Sequence, residues 1–378
     1  MSLRYLTREI GSLAKPSWLV KASAGRPLEE ADFEHARQWG ERLEIEDHET
    51  LVGGIQSGEI DQAELAQWAS LYALRLLESA GLDVVYDGEQ RRTEMYDHVI
   101  TNARGFEPRG TVRSFDNKYY AKAAVVESPS IERPYDVEEY EFVATHTERR
   151  VKAPFTGPYT LVDWSYDERY GHRGALGATA EERTGARRRF LIEVAEQVVR
   201  PNVAAVVEAG CDWIQIDEPA LTTRPEEVPL GVQAFNAVVG GLDVSCSLHV
   251  CFSDYRLLFP HVLELENCVE LQLEFANRDA RGLGTSGAQR PGYEPLFLFK
   301  EYGGPAVGLG VLDVHSDFIE PAELVRDRIL YATALVGPEW IYVNPDCGLR
   351  TRSWDVAYEK LANMVEGTRL AESALNRG

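Results

Sequence analysis

Short runs of apolar, β-branched residues alternate along this chain with longer segments in which apolar residues recur every three or four positions. The short runs are typical of buried strands, and the longer spacing is typical of amphipathic helices. Helical spacing is clearest in residues 61–81, 181–210 and 321–337, each of which closes on glycine. The eight strand candidates are residues 4–12, 82–89, 159–165, 212–219, 246–252, 270–275, 307–316 and 340–347. Eight strand-then-helix units predict an α/β fold, a single (β/α)8 TIM barrel.

Two stretches interrupt this alternation. Residues 90–157 contain shorter alternating runs, "YYAKAAVV" and "YEFVATH", and predict a β-rich insertion after strand 2. Residues 277–295 are rich in glycine and predict a loop. Neither stretch reads as a separate unit, so we expect residues 1–378 to form one catalytic barrel domain.

Charge and composition narrow the possible partners. The formal net charge is −22, which repels phosphate backbones and argues against nucleic-acid binding. No apolar run approaches the roughly 18 residues of a membrane helix, and charges interrupt the N-terminal stretch where a signal peptide would be apolar. We therefore expect a cytoplasmic protein with neither nucleic acid nor membrane as a partner.

The cysteines do not resemble a disulfide framework, because they are odd in number and widely spread. The five are Cys211, Cys246, Cys251, Cys268 and Cys347. Three of them fall near predicted strand starts, where packing is the expected role. Thiols that stay reduced are free to bind a metal.

The run "SLHVCF" places a histidine and a cysteine two residues apart in a predicted strand. Because successive side chains of a strand point to opposite faces, His249 and Cys251 share one face, while Leu248 and Val250 share the other. Taken alone, this pair is better explained by buried packing residues than by metal ligands.

The predicted barrel changes that balance, because active sites in this fold lie at the C-terminal ends of the strands. Reactive side chains fall at or near that end of nearly every candidate strand. They are Ser12, Glu89, Trp164, Asp217, His249, Cys251, Glu274, His315 and Cys347. Two thiolates, an imidazole and a carboxylate are a suitable ligand set for Zn²⁺. The sequence therefore predicts a zinc site formed by His249, Cys251, Glu274 and Cys347.

A structural zinc site is the competing interpretation. Structural sites usually take closely spaced ligand pairs that hold a small fold together, whereas these ligands span almost 100 residues of a large barrel. Zinc with two thiolates and a carboxylate is electron-rich, so a coordinated substrate sulfur would stay nucleophilic at neutral pH. The pattern favours alkylation of a thiol.

Eight segments, in order along the chain, resemble the cobalamin-independent methionine synthase family. They are "REIGS", "DVVYDGE", "VKAPFTGPYTLVDWS", "IQIDEPAL", "LHVC", "LQLEFAN", "VLDVHS" and "VNPDCGLRTRSWDVAYEKLANMV". The resemblance implies that zinc is bound by His249, Cys251, Glu274 and Cys347. It implies that homocysteine is held by Ile10, Gly11, Ser12, Glu89 and Asp217. It also implies that His315 is the catalytic proton donor and that Trp164 lies at the folate site.

Two departures from the family pattern concern the methyl donor. Long members carry an additional N-terminal barrel, and they have an acidic residue that contacts the pterin where this chain has Thr222 and Thr223. The resemblance therefore leaves two donors open, methyltetrahydrofolate and a methylcorrinoid, free or on a carrier protein. The alternatives to a methyltransferase are an alkyltransferase like those that join coenzyme M to an epoxide, and a non-catalytic barrel with structural zinc. Retention of Glu89 and Asp217 favours an amino-acid thiol.

Overall fold

The computed structural model describes residues 3–113, 119–171 and 178–377. The α-helices in this part of the chain are α1 (Ser17–Ser23), α2 (Glu30–Arg42), α3 (His48–Ser57), α4 (Gln62–Ser79), α5 (Met95–Asn102), α6 (Val137–Thr145), α7 (Pro158–Trp164), α8 (Ala180–Val194), α9 (Arg200–Glu208), α10 (Val228–Val239), α11 (Leu296–Tyr302), α12 (Ala322–Val336) and α13 (Trp354–Leu375). The strands are β1 (Val84–Val85), β2 (Ala103–Arg113), β3 (Tyr119–Ile131), β4 (Arg150–Val151), β5 (Ala153–Thr156), β6 (Tyr166–Asp167), β7 (Trp213–Asp217), β8 (Ser245–Val250), β9 (Cys268–Leu273), β10 (Ala306–Gly310) and β11 (Ile341–Asn344). A π-helical segment, Ala195–Val199, joins α8 to α9.

Eight strand positions form a closed parallel ring. Strands β5, β7, β8, β9, β10 and β11 pair in that order, and β1 pairs with β4, which runs directly into β5. Residues 7 and 8 complete the ring, because Thr7 bridges to Val343 of β11 and Arg8 bridges to Val84 of β1, both in parallel. The predicted (β/α)8 barrel is confirmed.

The prediction for the third strand was wrong. Residues 159–165 are predicted to be a strand, but residues 159–164 lie in helix α7, and the third ring position is β4 with β5. Helix α7 starts at Pro158, and the buried carboxylate of Glu218 accepts the backbone N–H groups of Tyr159 (2.8 Å) and Thr160 (2.7 Å). These bonds stabilise the helix start and override the strand preference of the β-branched residues.

The insertion after the second strand contains two long strands, β2 and β3, together with two helices. Its run "YYAKAAVV" lies in β3, which pairs antiparallel with β2 and parallel with β6 in a small second sheet. The run "YEFVATH" was predicted to be extended but falls largely in helix α6. The predicted insertion extends to residue 157 and therefore includes β4 and β5. These two strands belong to the ring, so the insertion ends before β4. Between the short helical turns at Ala276–Arg278 and Pro291–Tyr293 the chain is a loop, as predicted.

Inside the ring, a charged residue is held between aromatic rings. The guanidinium of Arg8 lies over the rings of Trp213 (4.7 Å) and Tyr342 (4.5 Å) and forms an ion pair with Glu270. Both side chains of the pair are fully buried. A buried ion pair of this kind makes the fold sensitive to the loss of either partner.

We expect Glu270→Gln to lower the free energy of unfolding by roughly 3–5 kcal/mol, because it leaves Arg8 buried without a counter-charge. Chemical denaturation monitored by circular dichroism measures this change. The matched control is Glu359→Gln, which breaks an exposed ion pair with Arg42 and should cost less than about 1 kcal/mol. Equal losses in the two variants would contradict the prediction.

Candidate active site

Three of the four predicted zinc ligands form one cluster. His249 lies on β8, Cys251 follows that strand, and Cys347 follows β11 across the ring. One ligand atom from each of the three lies within 4.8 Å of the others. The barrel thus brings the sulfur of Cys347 next to His249 and Cys251, which lie about 100 residues earlier in the chain.

The fourth predicted ligand, Glu274, lies beside this cluster but outside the group with 4.8 Å spacing. Its Oε2 accepts hydrogen bonds from the backbone N–H of Phe252 (3.1 Å) and from Nδ2 of Asn277 (3.0 Å). Its Oε1 is buried and accepts no hydrogen bond from the described residues. An unpaired buried carboxylate oxygen is costly, so Oε1 is suited to a cation.

The orientation of His249 fits metal binding. Nδ1 lies 3.1 Å from the backbone carbonyl of Gln272, to which it donates, and this leaves the buried Nε2 as the free ring nitrogen. Burial lowers the pKa of His249, but Cys347, Asp217 and Glu274 raise it, and the balance is a pKa of about 9. The surroundings of the ring thus favour positive charge. The residues present fit a zinc ion.

Residues from the first, second and fourth ring positions adjoin the cluster. Asp217 ends β7 beside His249 of β8, and burial raises the pKa of Asp217 to about 7. Glu89 follows β1 with a positive φ of 58°, and a Cβ added to Gly11 would lie 2.9 Å from its Oε1. A Cβ added to Gly348 would lie 2.9 Å from Oγ of Ser12. Asp217 therefore lies beside the metal cluster, Ser12 lies beside the residue that follows Cys347, and Glu89 lies beside the segment that contains Ser12.

A cavity of about 250 Å³ opens beside Ser12 and Glu89. Its polar lining also includes Lys15, Glu94 and Arg350. A cavity of this size can admit a small amino acid. The cavity is lined by Ser12 and Glu89 of the predicted substrate residues, whereas Asp217 and the metal cluster are not part of its lining.

His315 lies at the mouth of the barrel, on the far side of Glu274. Its Nε2 is 3.7 Å from Oε1 of Glu274, and its ring centroid is 4.6 Å from that of Phe252. The nearby carboxylate of Glu274 raises the pKa of His315, while burial opposes that rise. The side chain is partly exposed, so a group at the mouth could reach it.

Trp164, predicted at the donor site, ends helix α7 and is half-buried. Its ring centroid lies 6.2 Å from that of Tyr96, at the start of α5. It contributes to neither the metal cluster nor the residues around Ser12. Its assignment to a donor site stays a prediction.

Sequence reasoning missed several buried polar residues that hold the site in place. Asp346 accepts the backbone N–H groups of Phe275 (2.9 Å), Ala276 (2.9 Å) and Asn277 (2.7 Å), and so fixes the turn that follows Glu274. Gln215 bonds to Asp217 from two residues earlier on β7. A signal for Gln215 was present, because in "IQID" it alternates with isoleucines and shares the inward face with Asp217.

A second group of possible ligands has a different explanation. His98, Asp136 and Glu139 approach one another, but Arg92 lies among them, 2.7 Å from Glu139 and 3.7 Å from Asp136. Nε2 of His98 lies 2.6 Å from Asp136. The guanidinium supplies the positive charge that these carboxylates need, so the group is an ion-pair network.

None of the helices in the described residues is both long enough and apolar enough to cross a bilayer.

A family model and similar curated proteins all indicate the same protein family. A family model described as the catalytic domain of cobalamin-independent synthase matches residues 44–370. The chain is similar to a methionine synthase from Thermoplasma volcanium, with 40% identity over 80% of this chain and 88% of the relative. It is also similar to a methionine synthase from Pyrococcus furiosus, with 33% identity over 98% of this chain and 94% of the relative.

Solved structures agree on the fold. A B12-independent methionine synthase from Shewanella sp. W3-18-1, in complex with selenomethionine, matches with a TM-score of 0.73 at 22% identity. The match covers 99% of each chain. At this identity the likeness supports the barrel fold, and the site geometry rests on the residues described above.

Proposed function

The chain belongs to the cobalamin-independent methionine synthase family and is a methyltransferase, and we propose that it transfers a methyl group to the thiol of homocysteine, with zinc as its cofactor. The observation that carries the proposal is the convergence of His249, Cys251 and Cys347 beside Ser12, Glu89 and Asp217. Soft metal ligands next to a pocket with two carboxylates suit a substrate that has both a thiol and an ammonium group.

Each group of residues has a distinct part in this proposal. His249, Cys251 and Cys347 would hold the zinc, and Glu274 is the candidate fourth ligand through Oε1, which accepts no hydrogen bond from the described residues. When bound, zinc supplies a positive charge that keeps the substrate sulfur deprotonated at neutral pH.

The chain's own residues orient the amino acid. Glu89 and Asp217 can accept hydrogen bonds from the ammonium group, and Ser12 with nearby backbone N–H groups can donate to the carboxylate. Such positioning aligns the sulfur for in-line attack on the donor methyl group and removes much of the entropic cost of the reaction. The buried position of Asp217 strengthens its interaction with a cation.

A methylation assay tests the proposal directly. Purified protein is given homocysteine with methyltetrahydrofolate in one reaction and with methylcobalamin in another, and methionine is measured. Formation of methionine with either donor supports the proposal. A protein that leaves homocysteine unchanged but alkylates coenzyme M would contradict it.

We expect Glu89→Gln or Asp217→Asn to raise KM for homocysteine by roughly 10- to 150-fold, because each loses a charge-assisted hydrogen bond of about 1.5–3 kcal/mol. Steady-state kinetics measure this effect, and zinc content should stay unchanged. The control is Asp212→Asn, which alters an exposed carboxylate just before β7, at its opposite end. An unchanged KM together with lost zinc would show that these carboxylates serve the metal instead.

A further inference from the structure

We propose that Lys152 and Gln215 are a positioning pair that holds Asp217 against the segment of Ile10, and so sets the recognition of the substrate's ammonium group. The inference deepens the proposed function and rests on it. Neither residue belongs to the predicted metal or substrate set. Both side chains are fully buried inside the barrel, beneath the substrate residues.

Gln215 connects two parts of the amino-acid pocket. Its Nε2 donates to the backbone carbonyl of Ile10 (2.6 Å) and to Oδ1 of Asp217 (2.6 Å). An amide nitrogen has two hydrogens, so both bonds form at once. One side chain therefore joins the segment from the first ring position to the carboxylate at the end of the fourth.

Lys152 determines which way that amide faces. Its Nζ donates to Oε1 of Gln215 (2.5 Å) and to the backbone carbonyls of Glu9 (2.8 Å) and Ile10 (3.3 Å). An ammonium group can only donate, so the amide oxygen must face Lys152 and the amide nitrogen must face Asp217. The reversed amide would bring two donors together at Lys152 and two acceptors together at Asp217.

This arrangement matters because Asp217 has few other constraints. Among the residues that the structure describes, Gln215 is the sole hydrogen-bond donor to its carboxylate. The bond occupies Oδ1 and leaves Oδ2 for a ligand. Without Gln215 the carboxylate could rotate about its side-chain torsions, and the energy of a charge-assisted hydrogen bond depends strongly on its direction.

The test compares two thiols in isothermal titration calorimetry with the zinc-containing protein as purified. The first is homocysteine, and the second is 4-mercaptobutanoate, which is homocysteine without its amino group. In Gln215→Met we expect Kd for homocysteine to rise at least about tenfold, and Kd for 4-mercaptobutanoate to rise less than about threefold. Zinc content should equal that of the wild type.

The matched control is Gln272→Met. Gln272 is equally buried on β9, and its amide donates to Glu270 (2.6 Å) instead of to Asp217 or Ile10. This control should leave the ratio of the two affinities unchanged. Lys152→Met, which frees the amide to turn, should shift the ratio in the same direction as Gln215→Met. The isosteric Gln215→Glu replaces Gln215→Met if the latter does not fold.

The outcomes separate the inference from the proposed function. If the wild type binds homocysteine and the Gln215 variant binds it equally well, the positioning role is refuted and the proposed function stands. If the variant loses affinity for both thiols by the same factor, the role of Gln215 is structural and the inference is again refuted. If the wild type does not bind homocysteine at all, the proposed function fails and the inference fails with it.

Discussion

Replacing Cys251 and Cys347 together with serine is expected to remove the zinc and to lower turnover with homocysteine by at least about 100-fold. Serine keeps the size of the side chain but does not provide a thiolate ligand. Without the metal, only a few per cent of the substrate thiol is ionised at neutral pH, and its position beside the donor is lost. Zinc is measured by mass spectrometry of the purified protein, and turnover by methionine formation.

The control for this variant is Cys211→Ser. Cys211 is a buried cysteine outside the metal cluster, and its Sγ donates to the backbone carbonyl of Trp213 (3.2 Å), a bond that serine can keep. It should retain zinc and activity. Full zinc content in the double variant would contradict the proposed ligands.

Removal of zinc by a chelator should leave the barrel folded, because the ring is closed by backbone pairing and the ligands are not needed to join its strands. Thermal unfolding followed by circular dichroism reports this. Loss of the folded signal on chelation would instead favour a structural metal site.

His315→Asn is expected to act differently with the two methyl donors. A methyl group that leaves a folate nitrogen requires protonation of that nitrogen, and a general acid contributes roughly 10²- to 10⁴-fold to such a step. A methyl group that leaves cobalt requires no proton. Turnover should therefore fall by about that factor with methyltetrahydrofolate and only slightly with methylcobalamin. The partial exposure of His315 at the mouth is consistent with contact to the donor.

Phe252→Leu is the control for a change in the shape of the barrel mouth. It removes the aromatic ring that contacts His315 but leaves the proposed general acid, His315, in place. Equal losses with both donors in His315→Asn would show that the histidine only shapes the pocket. The threonines at positions 222 and 223 incline us toward a corrinoid as the natural donor. Efficient turnover with micromolar methyltetrahydrofolate in the absence of any corrinoid would contradict that preference.

Most of the ring could be predicted from the sequence, because seven of its eight positions coincide with apolar runs identified from local pattern. The third could not. Pro154 lies within β5, and a proline weakens the local signal for a strand, whereas the run of residues 159–165 after it resembles one. The decisive contacts come from Glu218, about 60 residues further along the chain, which caps helix α7. A local pattern contains no information about such a contact.

The reactive side chains of the site were predictable because the fold has a rule for where they lie. His249, Cys251 and Cys347 follow from strand ends alone, and the structure brings them together. The supporting residues do not follow from that rule. The contact of Lys152 with Gln215 depends on β5 lying beside β7, and this neighbour relation appears only once the third strand is placed correctly.

The closure of the ring by residues 7 and 8 has a consequence for the order of folding. The backbone N–H of Arg8 donates to the carbonyl of Val343 (3.1 Å), and that of Val343 donates to the carbonyl of Leu6 (3.0 Å). Two segments more than 300 residues apart in the chain must therefore meet, and the entropy of closing so long a loop delays such contacts. Ile10, Gly11 and Ser12 come directly after the closing residues. In a nascent chain this segment of the proposed amino-acid pocket therefore gains its neighbour β11 only after β11 has left the ribosome.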